Sequence, residues 1–419
     1  RRVACRQANF GPSPRQSGRR LMRVLFVVPP LTGHTNPTVA VGAELITRGH
    51  EVAWCGDPGH LAAHLPAGST IIPAADDLPT DLVQAITERA QGLRGAAALK
   101  FLWEDFLEPL ARATLPGVSE AVEAYDPDVL VVDQQAVAGA IVGRRTGRLW
   151  VTSATTSADL IDPFAALPKL RHWVDERLVD LQVSVGIPAA EADPVHLRFS
   201  PHLVLAFTTE ALMGTVPDVG APLACVGPAF AHRPAPAGGS DEFNWRWLDG
   251  RPLVLVSLGT VSAGSGTRFL TAAAEALGAR PHLQGVVVGE INPEAWSTGN
   301  APADNVMVVP RVPQVELLER CDAVVSHGGH NTVCETLANG LPLVVAPIRD
   351  DQPIVADQVE QAGAGIRVRY ARTGAAQLGD ALDTILAEPS YREAAQRLQR
   401  SFTEAGGASA AAQRLEALL

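Results

Sequence analysis

Residues 324–335 read VVSHGGHNTVCE, an apolar run followed by two glycines and a helical pattern. The apolar run is typical of a buried strand, and the glycines allow the backbone to approach a ligand closely. The first turn of the following helix presents unpaired N–H groups and the positive end of the helix dipole, which suit a phosphate. His327, Asn331 and Thr332 add side-chain donors, and Glu335, one helical turn past Thr332, can reach a ribose hydroxyl. This stretch predicts a nucleotide-binding site on an α/β sheet.

The alternation of apolar runs and amphipathic stretches continues on both sides of this motif. Short apolar runs that predict buried strands occupy residues 23–28, 51–55, 128–133, 149–152, 253–257, 285–288, 305–309, 323–326 and 343–346. Helical spacing predicts helices between them, including residues 36–48 and 135–146. Strands separated by helices are joined by right-handed crossovers into a parallel sheet. The predicted fold class is α/β, with two doubly wound, Rossmann-like domains that face each other across a cleft.

A stretch rich in Pro, Gly and Ala, GPAFAHRPAPAGGS at residues 227–240, separates the two halves. We expect residues 22–226 to form the first domain, 227–250 the linker and 251–419 the second domain, with the last helix packing back on the first. Residues 1–21 are basic and lack the roughly 7–15-residue apolar core of a signal peptide. We interpret them as a tag or a non-native extension; a basic arm for an acidic lipid surface is the alternative.

The composition, 47% hydrophobic and 19% charged over 419 residues, is that of a globular protein. Lys and Arg total 34 against 45 Asp and Glu, a net charge of −11, which is a poor match for nucleic acid. No run of about 18 apolar residues predicts a transmembrane segment. The five cysteines are scattered without a C-x-x-C pattern, which argues against a disulfide framework and favours a reducing, cytoplasmic location.

The motifs of the second half resemble those of the inverting family 1 glycosyltransferases of the GT-B fold. These enzymes use nucleotide sugars to glycosylate lipophilic small molecules. The family signature reads W-x-P-Q, then H-x-G-x-N-[ST]-x-x-E, then [DE]-Q. This chain has RVPQ at residues 311–314, the matching H-to-E spacing at residues 327–335, and DQ at residues 351–352. The likeness extends from Met22 to the C-terminus and is greatest to the bacterial branch that decorates macrolides, enediynes and other secondary metabolites.

The resemblance implies a donor site in the second domain. Val312 backbone atoms would face the base and Glu335 the sugar of the nucleotide, while Asp351 and Gln352 would bond hydroxyls of the transferred sugar. The diphosphate would be held by His327, Gly329, Asn331 and Thr332. A second phosphate contact would come from the SLGT segment at residues 257–260. The remaining residues expected at the donor are Gly33, Ser257, Gly259, Thr260, Arg311, Gln314 and Gly328.

Arg311 departs from the family pattern, which often has a tryptophan stacked on the base. A guanidinium plane also stacks on a base, so donor binding survives this departure. It leaves the choice between dTDP and UDP open. Because the secondary-metabolite branch often uses dTDP-deoxysugars, a deoxysugar is the expected group.

The segment after the first strand, VPPLTGHTNP at residues 28–37, carries the candidate base. His34 lies in a Gly-containing loop, and Pro37 is the expected first residue of the next helix. Transfer to an alcohol requires removal of the hydroxyl proton, which suits an imidazole that is neutral near pH 7. Asp133 ends another strand at the same edge of the sheet, where a carboxylate would orient the imidazole. His34 and Asp133 match the family's base and its partner; a helix-capping role for Asp133 is compatible with this.

Aromatic residues in the variable part of the first half are candidates for the wall of an apolar acceptor pocket, with core packing as the alternative. They are Phe101, Trp103, Phe106, Trp150 and Phe164. No metal site or cofactor is expected. The Asp-Pro-Asp sequence at residues 126–128 precedes a strand instead of following one, and a helix N-terminus with His327 can carry the charge of a leaving diphosphate.

The sequence therefore predicts an inverting glycosyltransferase in which His34 deprotonates an acceptor hydroxyl. The expected partners are a nucleotide-sugar donor and a small-molecule acceptor, and a homodimer is left open. One alternative is a GT-B glycosyltransferase acting on a sterol, carotenoid or lipid. The other is a non-catalytic nucleotide-sugar-binding module, against which the intact set of His34, Asp133 and His327 argues.

Overall fold

A computed structural model describes most of the chain. The described residues are 21–75, 89, 93, 95–161, 167–216, 218–230, 243–259, 266–289, 291 and 302–419. Within these ranges the strands form two parallel sheets, one from each half of the chain. The predicted α/β class with two doubly wound halves is confirmed. Residues 1–20 of the proposed extension and residues 231–242 of the proposed linker lie outside the described residues, so the domain limits stay predictions.

The first sheet has the strand order β3-β2-β1-β4-β5-β6-β7 among the described residues. Its strands are β1 (Arg23–Val27), β2 (Glu51–Gly56), β3 (Thr70–Pro73), β4 (Val129–Asp133), β5 (Trp150–Ala154), β6 (Val204–Ala206) and β7 (Leu223–Cys225). The strand order reverses between β1 and β4, which are parallel neighbours. The loops that follow these two strands therefore meet at the carboxyl edge, where doubly wound sheets bind their ligands.

The second sheet repeats this plan in the order β10-β9-β8-β11-β12-β13 over the described part of that half. Its strands are β8 (Leu253–Ser257), β9 (Gln284–Val288), β10 (Val306–Val309), β11 (Ala323–Ser326), β12 (Leu343–Val345) and β13 (Gly365–Arg367). The reversal lies between β8 and β11, whose last residues Ser257 and Ser326 are paired in register. The loop at His327 and the loop at Leu258 therefore leave the sheet side by side.

Helices connect the strands of both sheets. In the first half they are α1 (Thr32–Thr47), α2 (Pro58–His64), α3 (Ala96–Phe101), α4 (Glu108–Tyr125), α5 (Val137–Thr146), α6 (Pro168–Ser184), α7 (Val195–Arg198) and α8 (Glu210–Met213). In the second half they are α9 (Thr267–Gly278), α10 (Gln314–Leu318), α11 (His330–Ala338), α12 (Gln352–Gln361), α13 (Ala375–Ala387), α14 (Pro389–Ala405) and α15 (Gly407–Glu416). A π-helix, Leu102–Leu107, joins α3 to α4. None of the described helices has the length and apolarity needed to span a bilayer.

Strand β1 is buried on both faces, as its continuous apolar sequence predicts. Val24 and Phe26 pack in the cluster that α1 covers, and Phe26 stacks on Trp54 with ring centroids 5.5 Å apart. Leu25 and Val27 pack on the other face, in the cluster that α4 and α5 cover. The sheet is thus the middle layer of three, and polar loops have access only to its edges.

The last helix, α15, packs on the first half of the chain. Its residues Ala411, Ala412 and Leu415 are buried in the same cluster as β1 and α1. Glu416 accepts hydrogen bonds from Arg48 Nη1 at 2.8 Å and from His50 Nε2 at 2.9 Å. The first hydrophobic core is therefore completed by the end of the sequence.

Helix α1 begins at Thr32 and not at Asn36, so the predicted start is wrong by one turn. Pro37 consequently lies inside the helix instead of at its first position. Leu31, in extended conformation, is the N-terminal boundary residue. His34 thus belongs to the first turn of α1 and is held by a helix, not by a loop.

Candidate active site

His34 and Asp133 are in contact at the switch point of the first sheet. His34 Nδ1 lies 2.9 Å from Asp133 Oδ1 and 3.0 Å from Oδ2. The Asp133 side chain is fully buried, whereas 15% of the His34 side chain is exposed. Because a carboxylate only accepts hydrogen bonds, Nδ1 carries the proton and the neutral ring keeps its lone pair on Nε2. This tautomer is the one that a general base at Nε2 requires.

The Asp133 carboxylate is fixed by two further contacts. Thr155 Oγ1 donates to Oδ2 at 3.2 Å and lies 2.9 Å from His34 Nδ1. The Gln135 backbone N–H donates to Oδ1 at 2.9 Å. The Asp133 carboxylate therefore has two roles, since it closes the turn before α5 and also orients His34. Thr155 was not predicted from the sequence. It could have been found from its position directly after β5, because β5 is the neighbour of β4, which ends in Asp133.

The glycines of the second-half motif make room for His327. A Cβ on Gly259 would lie 2.7 Å from His327 Cε1, and one on Gly329 would lie 2.6 Å from Nε2. Gly328 has a φ of 88°, which favours glycine. Burial lowers the pKa of His327 to about 4, with the nearby charge of Arg349 acting in the same direction and a Ser257 hydrogen bond opposing it. At pH 7 His327 is therefore neutral and carries one N–H.

The segment at residues 311–314 is tied to α11 at the side of the motif where the base is expected. Gln314 Nε2 donates to Glu335 Oε2 at 2.7 Å. Arg311 is exposed and Val312 is half-buried. The structure thus brings Gln314 of this segment together with the Glu335 carboxylate.

Asp351 and Gln352 lie at the start of α12. Gln352 is buried, and its Oε1 accepts from the backbone N–H groups of Ile348 at 2.9 Å and Arg349 at 3.1 Å. Gln352 therefore holds the loop that carries Asp351. Asp351 Oδ2 accepts a hydrogen bond of 2.7 Å from Thr156 Oγ1, which follows β5 of the first sheet. This contact joins the two halves.

A second hydrogen bond between the halves involves the start of the phosphate motif. Asn331, the second residue of α11, donates through Nδ2 to the Gly33 carbonyl at 3.0 Å. Gly33 precedes His34 in the first turn of α1. The first turns of α1 and α11 therefore face each other directly.

Comparison with known proteins identifies the family to which the chain belongs. Residues 275–418 match the C-terminal domain of erythromycin biosynthesis protein CIII-like proteins. The chain is 31% identical to 4'-demethylrebeccamycin synthase of Lentzea aerocolonigenes, over 91% of this chain and 95% of that protein. It aligns with the crystal structure of the glycotransferase of kitacinnamycin at 26% identity and a TM-score of 0.73, over 96% and 100% of the two chains. The chain belongs to the GT-B glycosyltransferases of secondary metabolism.

The GT-B fold of the enzyme is shared with a nucleotide-bound structure. The glycosyltransferase VinC, solved in complex with dTDP, aligns at 21% identity and a TM-score of 0.72, over 95% of this chain and 99% of that one. The predicted GT-B fold is thereby confirmed, and the curated relatives, which include demethyllactenocin mycarosyltransferase of Streptomyces fradiae at 26% identity over 98% of this chain and 89% of that protein, confirm the predicted transferase class.

Ser257 and Gly259 line the loop beside His327. Ser257 is nearly buried at the end of β8, and its Oγ accepts from the Gly259 N–H at 3.4 Å. Its hydroxyl thus closes its own turn. Thr260, predicted as a phosphate contact, lies outside the described residues.

The aromatic residues predicted to wall the acceptor pocket have other surroundings. Trp150 is the first residue of β5, at the amino edge of the sheet, and a Cβ on Gly143 would lie 2.9 Å from its ring. It is a core residue at the edge opposite His34, so its assignment to the pocket is wrong. Trp103 and Phe106, on the π-helix, are also buried in the core. Phe101 is half-buried with the Arg89 guanidinium 5.4 Å from its ring centre, and Phe164 is outside the described residues.

Two histidines of α2 hold the first turn of α1. Thr32 Oγ1 lies 3.0 Å from His64 Nε2, and Thr35 Oγ1 lies 3.0 Å from His60 Nε2. The two imidazoles stack with centroids 4.2 Å apart. Burial, followed by the nearby His64, lowers the pKa of His60 to about 4. Sequence reasoning misses this pair, although its i, i+4 spacing puts both rings on one face of a helix.

Proposed function

We propose that the enzyme transfers a deoxysugar from a nucleoside diphosphate to a hydroxyl of a lipophilic natural product, with inversion at the anomeric carbon and His34 as general base. The His34–Asp133 pair, 2.9 Å apart, carries this proposal. The Asn331–Gly33 hydrogen bond of 3.0 Å supports it, because it brings the turn of the base next to the helix that would hold the phosphates. A base and a leaving-group site on opposite sides of one cleft suit a single displacement.

The reaction then follows from the roles of these groups. The acceptor oxygen attacks the anomeric carbon while its proton moves to Nε2 of His34, and the buried Asp133 stabilises the imidazolium that forms. The bond from the anomeric carbon to the phosphate oxygen breaks, and its electron pair stays on the diphosphate. The N-terminus of α11, with His327, Asn331 and Thr332, stabilises that charge. Attack opposite the leaving group inverts the configuration.

A thymidine nucleotide is the donor that we propose first. The solved relative that holds dTDP has the same fold over nearly the whole chain. Arg311 is exposed at the end of the segment that would face the base, where its guanidinium plane can stack. UDP-sugars remain the comparison in the experiment below.

Apolar side chains lie at the carboxyl edge of the first sheet, next to the segments that carry His34 and Asp133. They line a small cavity of about 20 Å³ and include Val28, Pro29, Leu110, Ala111 and Ala136. This cavity has room for a water molecule and not for an aglycone. Support for a lipophilic acceptor comes instead from the relatives, one of which, a spinosyn rhamnosyltransferase, is solved in complex with spinosyn aglycone.

The experiment that tests the function is a donor screen followed by product analysis. A dTDP- or UDP-sugar at about 100 times its Kd adds about 2.7 kcal/mol to the apparent stability, which thermal unfolding detects. The stabilising donor is then incubated with a panel of lipophilic alcohols, and the anomeric configuration of the product is read from NMR couplings. Retention of configuration, or stabilisation without any transfer, would contradict the proposal.

We expect Asp133→Asn to lower turnover by about 10- to 100-fold, from the roughly 1.5–3 kcal/mol of a hydrogen bond to a charged group. An amide cannot stabilise an imidazolium, and its NH₂ group favours the wrong tautomer of His34. The pH–rate profile is the measurement. Thr155→Val, which keeps the carboxylate, is the matched control and should cost less. An unchanged profile in Asp133→Asn would leave Asp133 with a turn-closing role alone.

We expect EDTA to leave transfer intact, because no metal is needed in the proposed reaction. The charge of the leaving diphosphate is met by the N-terminus of α11 and the N–H of His327. Initial rates with and without EDTA, then with added Mg²⁺, give the measurement. Loss of activity that Mg²⁺ restores would contradict this account of the leaving group.

A further inference from the structure

Pro37 interrupts the hydrogen-bond ladder of α1 at one place. A proline has no backbone N–H, so the bond from residue 37 to the Gly33 carbonyl cannot form. Asn331 of the other half donates to that carbonyl instead, at 3.0 Å. A hydrogen bond between the two halves thus replaces one that an ordinary helix would make within itself.

The two ends of this bond belong to the two parts of the reaction. Gly33 directly precedes His34, and Asn331 lies in the first turn of α11. Pro37 itself lines the crevice between the halves, together with Asn331 and Glu335. Another hydrogen bond between the halves, from Thr156 to Asp351, starts in the loop after β5 and not in the first turn of α1.

We propose that Pro37 is a positioning residue for transfer. By leaving the Gly33 carbonyl without its helical partner, it lets Asn331 hold the turn of His34 against the donor helix. An amide has two N–H donors, so Asn331 can bond Gly33 with one and a phosphate oxygen with the other. Asn331 would then link the turn of the base directly to the leaving group. This inference rests on the proposed function.

A merely structural requirement would not select proline here. Proline inside a helix is unfavourable relative to alanine, because it removes a hydrogen bond and crowds the preceding turn. The chain has a second example, Pro116 in α4, which is exposed and lies away from the other half. It provides a matched control.

The test is Pro37→Ala, which restores an N–H that competes with Asn331 for the Gly33 carbonyl. We expect kcat for transfer to fall about 3- to 10-fold, the effect of one hydrogen bond. The Kd for the nucleoside diphosphate, measured by calorimetry, should stay within about threefold, because Asn331 keeps its phosphate contact. Pro116→Ala should change neither value. If alanine at position 37 leaves a cavity that prevents folding, Pro37→Val restores the N–H with more apolar volume.

A double-mutant cycle decides whether Pro37 acts through Asn331. In an Asn331→Ala background, Pro37→Ala should cause no further loss of kcat. An unchanged kcat in Pro37→Ala, or an equal loss with and without Asn331, would overturn the inference. His34→Ala separates this from the proposed function. If that variant loses transfer while Pro37→Ala does not, the positioning role alone fails; if His34→Ala is fully active, the proposed function fails.

Discussion

Replacing His34 by alanine is expected to slow transfer to an aliphatic alcohol by about 10²–10⁴-fold, the usual range for a general base. The imidazole is held by the buried Asp133 carboxylate at 2.9 Å, in the tautomer that accepts a proton at Nε2. Without it, the acceptor hydroxyl must lose its proton to water while it attacks. Steady-state rates with a saturating donor give the measurement.

Two further expected results and a control variant make this test specific. Donor binding should survive, because the proposed donor site lies in the other half. The rate of transfer to phenolic acceptors should fall less, because a phenol hydroxyl is more acidic than that of an aliphatic alcohol. His172→Ala is the matched control, since the His172 side chain is 77% exposed on α6. Turnover of an aliphatic alcohol by His34→Ala at the unaltered rate would refute the base assignment.

His327→Ala is expected to lower kcat by about 10²–10³-fold, as the loss of one preorganised donor to a developing charge does in other enzymes. Burial lowers the pKa of His327 to about 4, so the ring is neutral and offers its N–H throughout the neutral pH range. The charge on the diphosphate oxygen grows as the bond to the sugar breaks. An interaction that strengthens in the transition state affects kcat as well as affinity.

The measurement combines calorimetry of the nucleoside diphosphate with single-turnover rates. Affinity and rate should both fall in His327→Ala, and less so in Asn331→Ala, because a neutral amide is the weaker donor. His282→Ala, at an exposed position before β9, is the matched control. A change confined to the KM of the acceptor would mean that the donor site lies in the other half of the protein.

Much of the fold follows from short apolar runs in the sequence. Runs such as residues 23–28 and 253–257 are almost continuously apolar, as expected of a strand that is covered by helices on both faces. Because carboxyl ends of neighbouring parallel strands meet at one edge, His34 and Asp133 could be expected together. The structure has them in hydrogen-bond contact.

Contacts between the halves could not be predicted in this way. The start of α1 is the clearest case, because Pro37 is a frequent first residue of helices. The helix extends back to Thr32 with Asn331 supplying a donor to Gly33 from nearly 300 positions away in the chain. Local pattern carries no information about such a partner.

The aromatic residues fail for a different reason. The sequence shows that Trp150 has a large apolar side chain. It does not show at which end of its strand this residue lies. Register decides that: Trp150 pairs with Leu130 at the start of β4, three residues before Asp133. A residue three positions along a strand is about 10 Å away, which is enough to move it from the cleft to the core.

Helix α15 has a consequence for the order in which the protein is built. Met22, Leu45 and their neighbours remain uncovered until the residues of α15 leave the ribosome. At about 5–20 residues per second, that wait lasts tens of seconds, during which the nascent first half exposes an apolar groove to chaperones. A hybrid enzyme that exchanges its first half at the segment between the halves must therefore carry the version of residues 407–416 that matches this first half. If α15 came from the other parent, a foreign helix would pack in the groove of the first half. We expect such a hybrid to be insoluble.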